Sequence, residues 1–295
     1  MGAAVRRGHS DRFVKLQVSL MLQRLECLLF CLCFCSPAFA ELKTDIEFAK
    51  AGDVSLTLDA QVPDGAGPFP TVIIVHGGGF VRGDKQTLVQ PLFEPLTRAG
   101  FAWFTINYRL APQYRYPAPV EDVEQAVRWV KQHANEYKVD AGRIALLGLS
   151  AGGYLVSMVG AQNKPAARVK AVVAFFAPSD LEALTRERKQ ISEGLRGLFG
   201  LTEMNEESLV YLRKVSPLRY VQRGMPPFLL IHGTEDELVS YSQSVKMHER
   251  MKQLGLNCEL FTVEGGRHGV GPWEKDPKFQ PYKEKMVTWL KNVLQ

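Results

Sequence analysis

Four short apolar runs constrain the fold of this chain of 295 residues more than any other feature. They comprise residues 71–75, 144–147, 171–176 and 228–231. Strands that are apolar on both faces are typical of a parallel sheet covered by helices on both sides. Two further strands are predicted at 101–108 and 258–263. The alternating segments 45–50 and 54–62 predict an antiparallel hairpin at one edge.

Helical patterns lie between these strands. Four valines, at positions 120, 123, 127 and 130, share one helical face, and Glu121 and Asp122 occupy the first turn, where negative charge is favoured. Residues 240–243 have the form of a capping box, and a last helix is predicted at 281–294. Strands alternating with helices predict an α/β fold with a mostly parallel central sheet and helices on both faces.

A long mixed segment, at about 181–215, interrupts this alternation and is rich in charged residues. It is interpreted as a short helical cap inserted between two strands. The alternative is a solvated pair of crossover helices that does not contact substrate. The first interpretation predicts that the segment shapes the binding pocket.

The first forty residues have the organisation of a secretory signal peptide. Five basic residues precede the apolar run 27–35, and residues 36–40 end in a small-residue site that predicts cleavage after Ala40. Met21 is an alternative start. A twin-arginine signal at Arg6 and Arg7 and a lipidated Cys35 fit the flanking residues poorly. We therefore expect a signal peptide at 1–40, one catalytic domain at 41–295, and a secreted or periplasmic protein.

Removal of that segment changes the charge and the cysteine content. The segment carries five basic and two acidic residues, so its loss lowers the formal net charge from +5 to +2. Such a weak balance argues against nucleic acid or an anionic membrane as a partner. Four of the five cysteines leave with it, and only Cys258 remains. We therefore expect a domain without internal disulfides and without stable membrane association.

The serine of residues 148–153 (Gly-Leu-Ser-Ala-Gly-Gly) is the predicted nucleophile. The motif follows a predicted buried strand and precedes an apolar helical stretch. A sharp turn of this kind exposes the serine at the carboxyl end of the sheet. Side chains at Gly148 or Gly152 would collide with the neighbouring strand or helix. The alternative, an incidental Ser150 in a glycine-rich turn, fits this context less well.

A second glycine-rich motif, His-Gly-Gly-Gly-Phe at 76–80, follows the strand at 71–75. Three consecutive glycines cost conformational entropy, which suggests that backbone must approach a ligand closely. We expect the amides of Gly78, Gly79 and Ala151 to form an oxyanion hole. His76 is interpreted as a support for this loop.

The acid and the base are expected after later strands. Asp236 follows the strand at 228–231 and is preferred to its neighbours Glu235 and Glu237, while His232 is interpreted as structural. His268 lies between glycines after the strand at 258–263. The order Ser150, Asp236, His268 is the chain order of catalytic triads in α/β-hydrolases.

These motifs resemble the hormone-sensitive-lipase-like branch of the α/β-hydrolases, and most closely the secreted bifunctional acetylxylan/feruloyl esterases. The resemblance rests on residues 76–80, 107–112, 148–153, 216–218, 232–236 and 266–269. It implies an α/β-hydrolase fold and ester hydrolysis. Leu149 stands where that branch usually has an acid, and its long N-terminal cap is absent. Both departures argue against a lipid-like substrate.

The sequence thus predicts a serine carboxylesterase or acetylesterase that acts on short-acyl esters, such as acetyl or feruloyl groups of polysaccharides. Its partner is a small-molecule or polysaccharide ester, and Phe80 is a candidate for the acyl pocket. No metal or organic cofactor is implied. The alternatives are a peptidase or acylaminoacyl hydrolase with the same triad, and a binding protein that has lost catalysis.

Overall fold

A computed structural model describes residues 42–295, so the predicted signal peptide lies outside the described residues. Eight strands form one sheet in the order β1-β2-β4-β3-β5-β6-β7-β8. In chain order they are β1 (Lys43–Ala51), β2 (Val54–Gln61), β3 (Phe69–Val75), β4 (Ala102–Ile106), β5 (Val139–Leu149), β6 (Ala171–Phe175), β7 (Phe228–Gly233) and β8 (Cys258–Val263). The strands from β4 to β8 in this order run parallel, whereas β2 is antiparallel to both β1 and β4.

Nine α-helices connect or cover the strands in this part of the chain. They are α1 (Gln90–Arg98), α2 (Ala118–Gln132), α3 (Ala151–Gln162), α4 (Leu181–Arg188), α5 (Glu193–Phe199), α6 (Glu206–Lys214), α7 (Ser242–Gln253), α8 (Val270–Glu274) and α9 (Pro281–Val293). Short 3-10 turns occupy Pro165–Ala167, Pro217–Tyr220 and Pro277–Phe279.

The sheet separates two apolar cores. One face packs against α2, α3 and α7, and the other packs against α1, α8 and α9. Alternate residues of the central strands point into different cores, as Ile73 and Ile74 of β3 do. The predicted α/β fold with helices on both faces is therefore confirmed. It also explains why the central strands are apolar without alternation.

Two local predictions were wrong. The capping box at 240–243 does not form, because α7 begins at Ser242 and has no side-chain cap. Gln243 instead turns inward, and its side-chain oxygen accepts hydrogen bonds from the amides of Ser179 (3.0 Å) and Asp180 (2.7 Å). The predicted strand at 101–108 is also shorter than expected, since β4 ends at Ile106.

The predicted insertion consists of the three helices α4, α5 and α6. Each begins with a side-chain cap, supplied by Asp180, Ser192 and Asn205 respectively. Glu182 of α4 accepts hydrogen bonds from Arg186 of the same helix and from Arg213 of α6. These contacts hold α4 and α6 together in the segment between β6 and β7.

None of the helices in residues 42–295 is both long and apolar enough to cross a membrane.

Candidate active site

The predicted functional residues gather at one edge of the sheet. Residues 76–80 follow β3, Ser150 follows β5, Asp236 follows β7 and His268 follows β8. These strands are parallel, so their carboxyl ends lie along the same edge. The fold thus brings together segments that are far apart in the chain.

Ser150 occupies a sharp turn between β5 and α3. Its backbone has a φ of 54°, a left-handed conformation that is unusual for a residue with a side chain. The turn is tight enough that a Cβ atom at Gly148 would overlap the carbonyl of Gly152, and one at Gly152 would overlap the carbonyl of Val75. This explains the need for glycine at both positions, as the sequence predicted.

Ser150, His268 and Asp236 form one chain of hydrogen bonds. The Nε2 atom of His268 lies 3.0 Å from the hydroxyl oxygen of Ser150, and its Nδ1 atom lies 2.7 Å from a carboxylate oxygen of Asp236. The carboxylate can only accept, so Nδ1 carries the proton and Nε2 is free to accept the serine proton. This arrangement is suited to general-base activation of a hydroxyl.

The carboxylate of Asp236 is buried and well satisfied. Its second oxygen accepts hydrogen bonds from the amides of Leu238 (2.9 Å) and Val239 (2.7 Å), and His232 lies 3.4 Å from the first. Burial favours the neutral acid, but the hydrogen bonds of His232, His268 and Val239 outweigh this and hold the pKa of Asp236 well below its usual range. Asp236 is therefore a carboxylate at neutral pH.

The loops that carry Asp236 and His268 are joined to each other. The amide of Glu235 donates to the carbonyl of Gly266 at 3.0 Å, and the amide of Gly265 donates to the hydroxyl of Thr234 at 2.8 Å. The indole of Trp273 donates to the carbonyl of Arg267 at 2.8 Å, which fixes the residue before His268. These bonds set the position of the imidazole relative to the carboxylate.

Gly78, Gly79 and Ala151 line the cavity beside Ser150. None of their amides donates to a protein acceptor in the described part of the chain. Gly78 and Gly79 have φ values of 112° and 62°, which glycine adopts at little cost. Ala151 is the first residue of α3, so its amide is one of the helix donors that lack an internal partner.

His76 supports this glycine loop through a hydrogen bond to its backbone. Its Nδ1 atom donates to the carbonyl of Gly77 at 2.6 Å, and its ring stacks on Tyr108 with a centroid distance of 4.3 Å. Burial lowers the pKa of His76 from 6.5 to about 4, so the imidazole is neutral at pH 7. The neighbouring Arg109 is in turn held by Asp122, with contacts of 2.7–3.0 Å.

The comparisons with known proteins agree with this architecture. The family model BD-FAE matches residues 58–251, which is more than half of the chain. The chain belongs to the BD-FAE family. The matched range includes Ser150 and Asp236, while His268 lies beyond its end.

Several relatives of this BD-FAE member are named esterases. Esterase LipC of Mycobacterium tuberculosis is 30% identical over 215 residues, which cover 68% of this chain and 53% of LipC. An acetylxylan esterase of Xylanibacter ruminicola is 25% identical over 230 residues, which cover 75% and 45% respectively. The chain spans about half the length of the curated relatives it matches.

Among solved structures, Est2 of Thermogutta terrifontis, a thermophilic esterase with butyrate bound, superposes with a TM-score of 0.70 and 26% identity. The match covers 86% of this chain and 94% of that chain. The predicted resemblance to α/β-hydrolase esterases is thus confirmed.

A cavity of about 390 Å³ opens above Ser150 in this BD-FAE member. The cap forms one wall of it through Leu181, Leu184, Arg188, residues 192–194 and Leu195. Of the segment 181–215 that is interpreted as a cap, the part up to Leu195 thus contributes to the cavity wall, and no residue beyond it does. Phe176 forms another part of the wall, and its ring meets that of His268 edge to face at 4.8 Å.

Phe80 lies at the cavity, but little of its ring is accessible. Only 4% of the residue is exposed, and the ring packs edge to face against Tyr154 at 5.3 Å. Leu88 and Leu238 also line the cavity and are more than half exposed, which sequence patterns did not indicate. Arg188 was missed as well, because the conformation of the cap is not evident from its mixed pattern.

Within residues 42–295, no cluster of three or more histidine, cysteine or acidic side chains could hold a metal ion.

Proposed function

We propose that this protein is a serine carboxylesterase that hydrolyses short-acyl esters. The observation that carries the proposal is the unbroken hydrogen-bond chain from Ser150 through His268 to Asp236. Gly78, Gly79 and Ala151, whose amides have no protein acceptor among the described residues, line the same cavity as Ser150 and His268. Ester hydrolysis by acyl transfer requires these two features together. The esterase names of its relatives support the same reaction.

The reaction proceeds in two steps. His268 accepts the proton of Ser150 as its hydroxyl oxygen attacks the ester carbonyl, and Asp236 stabilises the imidazolium that forms. The amides of Gly78, Gly79 and Ala151 bind the oxyanion. His268 then protonates the departing alcohol. Water, activated by the same imidazole, releases the acid from the acyl-enzyme.

Short acyl groups are the expected substrates of this cavity. It has a volume of about 390 Å³, and the cap that bounds it is rich in charged residues. The related Est2 was solved with butyrate and with propionate bound. The similarity to an acetylxylan esterase supports acetyl groups of a polysaccharide as the natural substrate. The expected export signal would place the enzyme where such polymers occur.

The decisive experiment combines a nucleophile variant with an acyl-length series. Ser150→Ala should lower kcat by about four orders of magnitude or more while leaving the unfolding transition in place. A phosphonate probe should label Ser150 in the wild type. The matched control is Ser242→Ala, a serine outside the cavity, which should retain full labelling and activity.

The series comprises p-nitrophenyl acetate, butyrate, octanoate and palmitate, with the corresponding acetanilide as an amide. We expect the highest kcat/KM for acetate or butyrate. Each methylene that fits adds about 0.8 kcal/mol, so the length of the pocket will be visible in the series. An optimum at octanoate or longer contradicts the short-acyl proposal, and faster cleavage of the amide favours a peptidase.

A further inference from the structure

Arg188 is a cationic side chain inside the cavity that the proposed mechanism does not use. It is the last residue of α4, it is half-buried, and it lines the same cavity as Ser150 and His268. Burial lowers the pKa of its guanidinium, against the opposing charges of Asp236 and Glu187. A charge that is partly withdrawn from water in this way is unfavourable unless a ligand compensates it.

The other arginines of the cap all have partners. Arg186 binds Glu182 and Glu206 at 3.1 Å, Arg213 binds Glu182 at 2.7 Å, and Arg196 donates to the carbonyl of Ile191 at 3.2 Å. Within residues 42–295, the side chain of Arg188 makes no ion pair and donates no hydrogen bond. Arg188 therefore differs from the other arginines of the cap in that its side chain has no protein partner.

A structural role explains Arg188 poorly. Cations are favoured in the last turn of a helix, but Arg186 already occupies that turn of α4 and is well exposed. Asp236 does not require Arg188 either, because both carboxylate oxygens already accept hydrogen bonds. The effect of Arg188 on Asp236 acts through space, not through a contact.

Among the described residues, Arg188 is the one cation lining the cavity that makes no ion pair, although Asp236 and Glu187 act on it at longer range. Arg82 and Glu193 also line the cavity, and they lie 3.9 Å from each other. Their charges largely cancel. Arg188 thus offers an unpaired positive charge in the cavity of Ser150, which favours a substrate group that carries negative charge.

Arg188 lines the same cavity as His268, the residue that links Ser150 to Asp236. In the proposed mechanism, His268 delivers its proton to the departing alcohol. That alcohol therefore leaves into the cavity that Arg188 lines, where the guanidinium can meet a charged group on it.

We propose that Arg188 binds a carboxylate on the alcohol part of the ester, so that the preferred substrates are esters of hydroxy acids. The inference rests on the proposed esterase function and narrows its substrate class. A planar guanidinium can bind a carboxylate through two parallel hydrogen bonds, which are stronger than neutral ones. The exposed Leu88 and Leu238 at the cavity offer apolar contacts to the carbon skeleton of such an alcohol.

The test compares an anionic ester with its neutral counterpart. The probes are 3- and 4-acetoxybenzoate and their methyl esters, and acetate release from the phenol is measured. The quantity of interest is the ratio of kcat/KM for the anionic ester to that for the neutral one. Since each substrate is its own reference across variants, intrinsic differences in reactivity cancel.

We expect Arg188→Gln to lower this ratio about tenfold, as for loss of one charge-assisted contact in a half-buried site. Arg188→Glu should lower it further, and 1 M salt should weaken the wild-type preference. The matched control is Lys189→Gln, which removes the same charge at the adjacent exposed residue outside the cavity. It should leave the ratio unchanged.

Two results would overturn the inference. One is a ratio that is the same in the wild type and in Arg188→Gln. The other is an equal fall of kcat for both esters with a shifted pH profile, which would make Arg188 a positioning residue for Asp236. If neither ester is hydrolysed, the esterase function itself is wrong. In that case the anion site can still be tested by binding. The affinities for 4-hydroxybenzoate and for its methyl ester are compared in the wild type and in Arg188→Gln.

Discussion

Three acidic residues follow one another after β7, and their environments differ sharply. Asp236 is buried and lies 2.7 Å from His268, whereas Glu235 and Glu237 are exposed. The difference arises because the amides of Leu238 and Val239 turn back to donate to Asp236. A carboxylate held in this way keeps its charge and its orientation without help from solvent.

We expect Asp236→Asn to lower kcat about 10³–10⁴-fold, because an amide cannot stabilise the imidazolium and favours the wrong tautomer of His268. The matched control is Glu235→Gln, an exposed neighbour, which should change kcat less than about twofold by the weakness of surface electrostatics. Steady-state rates on p-nitrophenyl acetate check both. The reverse pattern would move the acid to Glu235.

The positions of Ser150, Asp236 and His268 could be predicted from the sequence because each lies in the short segment after a parallel strand, Ser150 directly after β5 and the other two within five residues of β7 and β8. The end of such a strand is fixed by the sheet, so the residue after it has a known location. Arg188 could not be predicted in this way. It lies in a cap helix whose direction depends on tertiary contacts, such as those of Gln243 with the loop that begins the cap.

At the scale of elements, the cap and the glycine loop after β3 are in direct contact. Gly194 of α5 packs so closely on Gly79 that an added Cβ atom would overlap the carbonyl of Gly79. The cap is therefore more than a lid over the cavity. It limits how far the backbone at Gly79 can move, and that backbone supplies one of the proposed oxyanion donors.

Gly194→Ala should therefore displace either the loop or the cap. We expect kcat on p-nitrophenyl acetate to fall about tenfold and the free energy of unfolding to fall by about 1–3 kcal/mol, as for other overpacked sites. The matched control is Gly271→Ala, at a glycine that also lines the cavity but whose Cβ atom would meet open space. Loss of stability at unchanged kcat would show that the cap moves and the loop does not.

The elements of the sheet were more predictable than those outside it. The central strand β6 is apolar throughout and β3 is apolar from Val72 to Val75, since both are covered on both faces. The first helix, α1, was not predicted, because it contains Pro91 and Pro95, and proline usually breaks a helix. The predicted capping box does not form, because the side chain of Gln243 binds the amides of Ser179 and Asp180 and not the start of its own helix.

At the scale of the whole molecule, stability depends on the two cores and on polar groups buried between elements. The one cysteine in the described chain, Cys258, is free and buried, and burial raises the pKa of its thiol to about 12. Covalent cross-links therefore do not hold residues 42–295 together. Buried titratable groups consequently have a measurable influence on the stability of the fold.

His76 makes the stability of the molecule depend on pH. Its pKa is about 4 in the folded protein and about 6.5 in the unfolded chain, so the unfolded state takes up a proton first as the pH falls. The stabilisation by the neutral ring is complete above pH 6.5 and is lost progressively down to about pH 4. Linkage converts the difference into about 3 kcal/mol over this range.

We therefore expect the free energy of unfolding, measured in urea, to fall steeply between pH 7 and pH 4 in the wild type. In His76→Asn, which retains a donor for the carbonyl of Gly77, this fall should be about 3 kcal/mol smaller. His248→Asn, at a partly exposed position of α7, is the matched control and should keep the wild-type slope. Asp236 does not confuse the result, because its lowered pKa makes its contribution to stability decline only below about pH 4. Equal slopes in the wild type and His76→Asn would contradict the prediction, because they would mean that His76 has the same pKa in the folded and the unfolded state.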